Sequence, residues 1–339
     1  MIRLALATLV ALSLGHPAQA QTRSITDSAG RVVELPEQVG SVLAAGPPAA
    51  ILLYVMAPDR MLGWPRANRA DEREFLAQPH ADLPELGTLT GQGGEANLER
   101  VVALQPDLIL DFGSLRDTYV DLANRVQAQT GIPYLLIDGR FENTPAALRL
   151  LGEALGVPER GEALAQDAEA TFARIDALLA EVPEAERPRA YLARGPEGLE
   201  SGVVGSINTE ILERAGGVNV LGRSDTARGL VQVNFEALLA ADPDVIVTWD
   251  RQFHETHRDS PLWSRMRAVQ EGRVHLSPVL PFGWIDRPPS LNRIIGLDWM
   301  AAVFYPERHG IDLRARTRDF YRLWYHLDLT EDQLDRLLP

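Results

Sequence analysis

One fifteen-residue unit occurs twice in this chain of 339 residues, and it narrows the possible folds more than any other feature. "LERVVALQPDLILDF" (98–112) and "FEALLAADPDVIVTW" (235–249) match position by position. Each begins with apolar residues at helical spacing, stops at Pro-Asp, and continues into an unbroken apolar run. Proline lacks the N–H that a helix interior needs, and aspartate suits the turn that follows. The apolar run marks a parallel strand covered on both faces. The copies begin roughly 137 residues apart, too far for a solenoid repeat. That spacing fits two lobes of similar build.

Other strand-like runs support this reading. The first half offers 41–45, 108–112 and 134–138, and the second offers 189–194, 245–249 and 273–277. Helical patterns separate them, which predicts parallel sheets with right-handed crossovers. Between the halves, "ERGEALAQDAEATFARIDALLAEV" (159–182) contains neither Gly nor Pro after Gly161. It predicts one stiff helix of about 33 Å at ~1.5 Å per residue. The expected fold is α/β, with two Rossmann-like lobes of parallel sheet joined by one long rigid helix and a ligand cleft between them. The boundaries expected are a lobe over 24–155, the linking helix over 156–184 and a second lobe over 185–339. A chain of this length exceeds what one hydrophobic core usually serves.

Residues 1–20 read as a secretory signal peptide. Arg3 gives a positive start, 4–14 is an apolar stretch too short to span a bilayer, and "AQA" (18–20) suits cleavage. Cysteine is absent, so the chain has no disulfide, no thiolate chemistry and no lipid-bearing cysteine. The expected setting is a Gram-negative periplasm, with the protein soluble, unanchored and monomeric. The formal net charge is −14 and every Lys/Arg position is arginine. Such an acidic chain lacks the basic face that nucleic acid requires.

Taken in order along the chain, several segments resemble the periplasmic substrate-binding proteins of ABC importers that handle ferric siderophores, haem, corrinoids and related metal complexes. The segments are "ITDSAGRVVELPEQVGSVLAA" (25–45), "GEANLERVVALQPDLIL" (94–110), "LERAGGVNVLG" (212–222), "FEALLAADPDVIV" (235–247) and "PLWSRMRAVQEGRVHLSP" (261–278). The resemblance spans about residues 24–330. It implies two lobes that close modestly over a ligand, with an ABC permease and its ATPase as partners. It also implies one glutamate per lobe that docks on permease arginines. Glu95 and Glu213 fall at those places, with Glu210 as the fallback on the second lobe.

Ligands of open α/β lobes bind off the carboxyl ends of the strands. The loops there carry Arg116 and Tyr119, Arg140, Arg194, Trp249 and Arg251, and finally "PFGWIDRPPSLNR" (281–293) with Phe282, Trp284 and Arg287. Arginine grips carboxylates and oxyanions through forked hydrogen bonds, and the aromatics offer an apolar wall. Each arginine can equally be solvated or paired across the lobes, and both aromatics can pack inward. His254 and His257, with Asp250 and Glu255, offer a weak metal-ligand pattern. His326 is expected in a C-terminal helix on the second lobe.

Nothing nominates an enzyme. "DFG" (111–113) lacks the other kinase signatures, "GQGGEA" (91–96) lacks the P-loop ending, and no His-Glu-x-x-His or Gly-x-Ser-x-Gly occurs. No cofactor is expected; the ligand is a metal chelate or an oxyanion. A ferric siderophore ranks first as cargo. The alternative is molybdate or tungstate, because "PFGWIDRPPSLNRIIGLDWM" (281–300) resembles the oxyanion-binding branch of that family. A small oxyanion needs convergent donors rather than a broad aromatic shelf. An exported hydrolase is the distant third reading.

Overall fold

Both copies of the repeated unit adopt the helix–turn–strand form. In a computed structural model of the chain, which describes residues 22–90, 98–224 and 229–338, helix Leu98–Leu104 leads into strand Leu108–Gly113. Helix Phe235–Ala241 likewise leads into strand Val245–Thr248. The matching positions Gln105 and Asp242 both take a left-handed backbone, at φ 46 and 39. The repeated aspartate has one use in both halves. Asp107 Oδ2 accepts the N–H groups of Gly40 and Ser41, at 2.8 Å each, at the entry to the neighbouring strand. Asp244 Oδ2 does the same for Arg189, at 2.8 Å. Each Pro-Asp turn therefore also fixes the register of its sheet.

The first sheet runs Val42–Ala44, Leu108–Gly113, Tyr134–Asp138, all parallel. The second runs Val274–Leu276, Val245–Thr248, Arg189–Ala193, Val218–Asn219, also parallel. Alternation along the strands sends Leu108 and Leu110 to one apolar cluster and Ile109 to another. The first of these clusters is shared between the halves: it also holds Leu192, Val245, Val247 and the helix Arg293–Phe304. The expected α/β class with parallel sheets is what the chain forms.

The linking segment is a single helix, Pro158–Ala180. It crosses helix Thr144–Leu155 at Gly152 and Gly161, where a Cβ on Gly161 would sit 2.7 Å from the Leu148 carbonyl oxygen. Among the described residues, no helix is long and apolar enough to cross a membrane.

The chain end departs from expectation. Helices Leu313–Trp324 and Glu331–Leu337 reach back to the first half. Tyr54 Oη donates to Tyr325 O at 2.8 Å, and Gln333 Nε2 to Glu74 O at 2.6 Å. The Phe75 and Tyr321 rings meet at 6.1 Å. His326, expected on the second lobe, has its Nε2 3.2 Å from Val55 O of the first half. Periodicity reveals an apolar face but not which surface will cover it. Arg160 secures this junction by donating to Val55 O at 2.8 Å and Leu323 O at 2.5 Å. Cations suit such helix ends, although burial pushes the Arg160 pKa down to about 10.

Candidate functional site

Trp249 follows strand Val245–Thr248 at the carboxyl edge of the second sheet, and two guanidiniums lie over its ring. Arg287 Cζ is 4.5 Å from the ring centroid and Arg194 Cζ is 5.7 Å. The two cations differ in their partners. Arg194 Nε donates to Asp286 Oδ2 at 2.6 Å, and its Nη1 bonds the Glu200 carboxylate. The fully buried Asp286 also accepts from Asn208 Nδ2 at 2.9 Å. Arg194 is thus balanced by two carboxylates. Arg287 is exposed and makes no ion pair with any described residue. A guanidinium on an indole face keeps its edge free for a second partner.

The loop that presents Arg287 is anchored from beneath. Trp284 is fully buried, and its Nε1 donates to Tyr321 Oη at 3.3 Å. Its carbonyl oxygen sits where a Cβ on Gly296 would lie, only 1.9 Å away. Phe282 is also buried, its ring 5.7 Å from Trp64 and 6.2 Å from Tyr325. The expectation that Phe282 and Trp284 form the cleft wall is therefore corrected. Both belong to the core, because the returning C-terminal helices supply aromatic partners that the local sequence does not announce. Asp286 orients Arg194 rather than Arg287. Ser290 does not cap a helix; its Oγ donates to Pro48 O, 3.1 Å away in the first half, and the helix begins at Arg293.

The remaining candidates stay local. Arg140 is clipped to Asp138 at 2.9 Å, at the end of the third strand of the first sheet. Arg116 is exposed, donates to Ser114 Oγ at 3.2 Å and lies 5.7 Å from the Tyr119 ring centroid. Arg251 is 4.0 Å from Glu255 on the same helix. Glu95 lies outside the described residues, as does the expected signal peptide. Glu213 was expected as an exposed docking carboxylate. Instead it is half-buried, with one carboxylate oxygen buried without a partner, and burial raises its pKa. Its site lacks the solvent that would keep both oxygens hydrated.

His254 and His257 meet with ring centroids 5.5 Å apart. His257 is 2% exposed, with Nδ1 2.7 Å from His254 O and Nε2 without a partner. Among the described residues, no group of three or more His, Cys, Asp or Glu side chains comes together to hold a metal. Burial lowers the pKa of His254, His257 and His275. A histidine with a depressed folded pKa contributes stability above its unfolded pKa, and this is lost as pH falls through the folded value. The urea midpoint should therefore drop as the pH is lowered from 7.5 through about 6.5 to about 5.5. A His257→Phe variant should show a shallower drop. A flat wild-type midpoint over that range would refute the account.

The sequence reading missed Arg293. It is 1% exposed and donates to Gly139 O and Ile207 O, both at 3.0 Å, and to the Glu210 carboxylate. Glu210 Oε1 also accepts the Phe141 N–H at 2.9 Å, so the fallback docking residue is committed to the junction between the halves. Arg293 opens a helix that is apolar apart from Asp298, and that mismatch was the available signal.

Comparison with known proteins agrees with this architecture. Residues 47–278, more than half of the chain, match the periplasmic binding protein family. The chain belongs to that family. A cobalamin-binding protein of Halobacterium salinarum is 33% identical over 167 residues, 47% of this chain and 42% of the relative. A vitamin B12-binding protein of Salmonella typhi is 31% identical over 195 residues, 56% of this chain and 66% of the relative. The chain thus spans less than two thirds of either. An ABC transporter solute-binding protein from Sulfurospirillum deleyianum superposes with a TM-score of 0.85 at 30% identity, covering 93% of this chain and 99% of that one. The molybdate-bound MolA of Haemophilus influenzae superposes at 0.74 with 21% identity, covering 91% and 99%, and shares the fold. The relatives and the solved structures named here are described as binding proteins.

Proposed function

We propose that this protein is the exported, soluble binding component of an ABC importer, and that its cargo is a compact anion of the molybdate or tungstate kind. Family membership supports capture of a solute and delivery to a permease with its ATPase. The observation that carries the cargo class is Arg287, a cation stacked on Trp249 without a carboxylate among the described residues, in a chain of net charge −14. Its forked edge suits an oxyanion, and Arg194 reinforces the local positive field. Trp249 Nε1, buried without a partner, is a further donor at the same edge. A broad chelate needs an apolar shelf, and with Phe282 and Trp284 in the core that shelf is reduced. This ranks the oxyanion above the ferric siderophore that the sequence alone placed first. The cobalamin-binding relatives supply a corrinoid as the second reading.

The work required is binding alone. Arg287 orients and neutralises the anion, Trp249 fixes the guanidinium plane, and Asp286 holds Arg194 so that the pair keeps its geometry. Calorimetry against molybdate, tungstate, ferric citrate, a ferric hydroxamate and cyanocobalamin should give binding for the two oxyanions. Binding of the ferric or corrinoid probes alone would replace this cargo. Arg287→Ala should weaken oxyanion binding by about 2 kcal/mol or more, roughly 30-fold. An unchanged affinity would remove Arg287 from the site.

A further inference from the structure

We propose that Arg293 is the positioning residue of the cleft, a buried cation that pins the loops of the two halves together and thereby holds the Arg287–Trp249 seat in place. The proposal rests on the binding role just described, and it concerns residues that meet no cargo.

Arg293 gathers three cleft loops. From the first half it takes Gly139 O at 3.0 Å, and its Cζ lies 4.7 Å from the Phe141 ring centroid. From the second half it takes Ile207 O at 3.0 Å, the Glu210 carboxylate, and Ser290 O at 3.2 Å through Nε. Glu210 closes the ring by accepting the Phe141 N–H at 2.9 Å. A second tie runs beside it, from Ser290 Oγ to Pro48 O at 3.1 Å. The loop after the third strand of the first half, at Gly139, and the start of helix Pro47–Met56 after its first strand, at Pro48, are thus both bonded to the 290–293 segment.

The pin is continuous with the seat. Ile207, which accepts from Arg293, precedes Asn208, and Asn208 Nδ2 donates to Asp286 Oδ1 at 2.9 Å. Asp286 holds Arg194 Nε at 2.6 Å, and Arg194 shares the Trp249 ring with Arg287. Every step is a hydrogen bond, a ring contact or a peptide neighbour. Such a buried polar network is rigid when its members are satisfied, and it fails together when one is removed. The charge of Arg293 is buried, so no other donor can enter to replace it. Loss of the pin should therefore loosen the seat without altering any group that touches the anion, and affinity should fall through lost preorganisation.

The absence of cysteine makes this measurable, since labels can be placed without background. Cysteines introduced at the exposed positions Glu153 and Gln270, one in each half, would carry spin labels for inter-label distances. The wild type should give one narrow distribution. Arg293→Met, which keeps the side-chain length, should broaden it and weaken molybdate binding at least tenfold while the protein remains folded. A narrow distribution with molybdate affinity within twofold of wild type would overturn the proposal, even if the melting temperature fell. Glu210→Gln keeps the shape and removes the charge, and it should broaden the distribution to a smaller degree. If Arg293→Met fails to fold, Glu210→Gln decides, and a narrow distribution there overturns the proposal. If the wild type binds none of the five probes, the cargo reading fails, and the label distances alone judge the pin.

Discussion

Gly296→Ala should unseat the binding loop and destabilise the fold by about 3 kcal/mol, the upper end of the cost of overpacking. A Cβ there would lie 1.9 Å from the Trp284 carbonyl oxygen and 2.7 Å from its carbonyl carbon. Both obstacles are backbone, so no side-chain rotation relieves them. The helix cannot retreat, because Ile295 and Leu297 on either side are fully buried. The loop must lift, taking Trp284 off Tyr321 and Arg287 off Trp249. Helix propensity alone predicts the opposite sign, since alanine is favoured over glycine inside a helix by up to ~1 kcal/mol. The contact distance decides between the two effects. Urea denaturation should show the loss of stability, and calorimetry should show molybdate binding weakened at least tenfold. A variant as stable as wild type, with equal affinity, would mean that the loop does not rest on Gly296.

Arg316→Met should cost about 3–5 kcal/mol, the range for breaking a buried ion pair by removing one partner. Arg316 donates to Asp167 Oδ1 and Oδ2, at 3.0 and 2.8 Å, on the linking helix. It also donates to Asp298 Oδ2, at 2.8 Å. Asp298 is fully buried, with Arg174 Nη2 its other cation at 2.9 Å. Removing Arg316 leaves two carboxylates short of charge at the point where the linking helix, the helix Arg293–Phe304 and the C-terminal helix meet. A second substitution, Asp298→Asn, should recover part of the loss, because the stranded charge disappears with it. A single-variant loss below about 1 kcal/mol would place this cluster with the weak surface pairs.

The parts of the molecule legible in the sequence were those set by local rules. The repeated helix–turn–strand unit, the parallel sheets and the linking helix follow from periodicity, proline positions and unbroken apolar runs. The strand-end rule also nominated Trp249 and Arg287, which the structure brings within 4.5 Å of one another. What stayed hidden depended on distant partners. Trp284 and Phe282 have the chemistry of a binding wall, and distant aromatics, Trp64 in the first half with Tyr321 and Tyr325 near the chain end, make them core. Glu210 reads as a surface acid until Arg293 is placed beside it. Arg293 and Asp298 on one apolar helix did signal buried ion pairs, but the sequence does not say with which element they pair.

The bond between Tyr54 and Tyr325 joins residues 271 positions apart. Any process that delivers the chain from its N-terminus, synthesis or threading through a membrane, brings Tyr54 out first and its partner almost last. Helix Pro47–Met56 and Phe75 must wait for Tyr321 and Tyr325 before their surface is covered. Domains emerging from synthesis generally complete themselves in chain order, and contacts this distant are slow to form. Here the aromatic cover over Tyr54 and Phe75 can form only after nearly all of the chain has arrived.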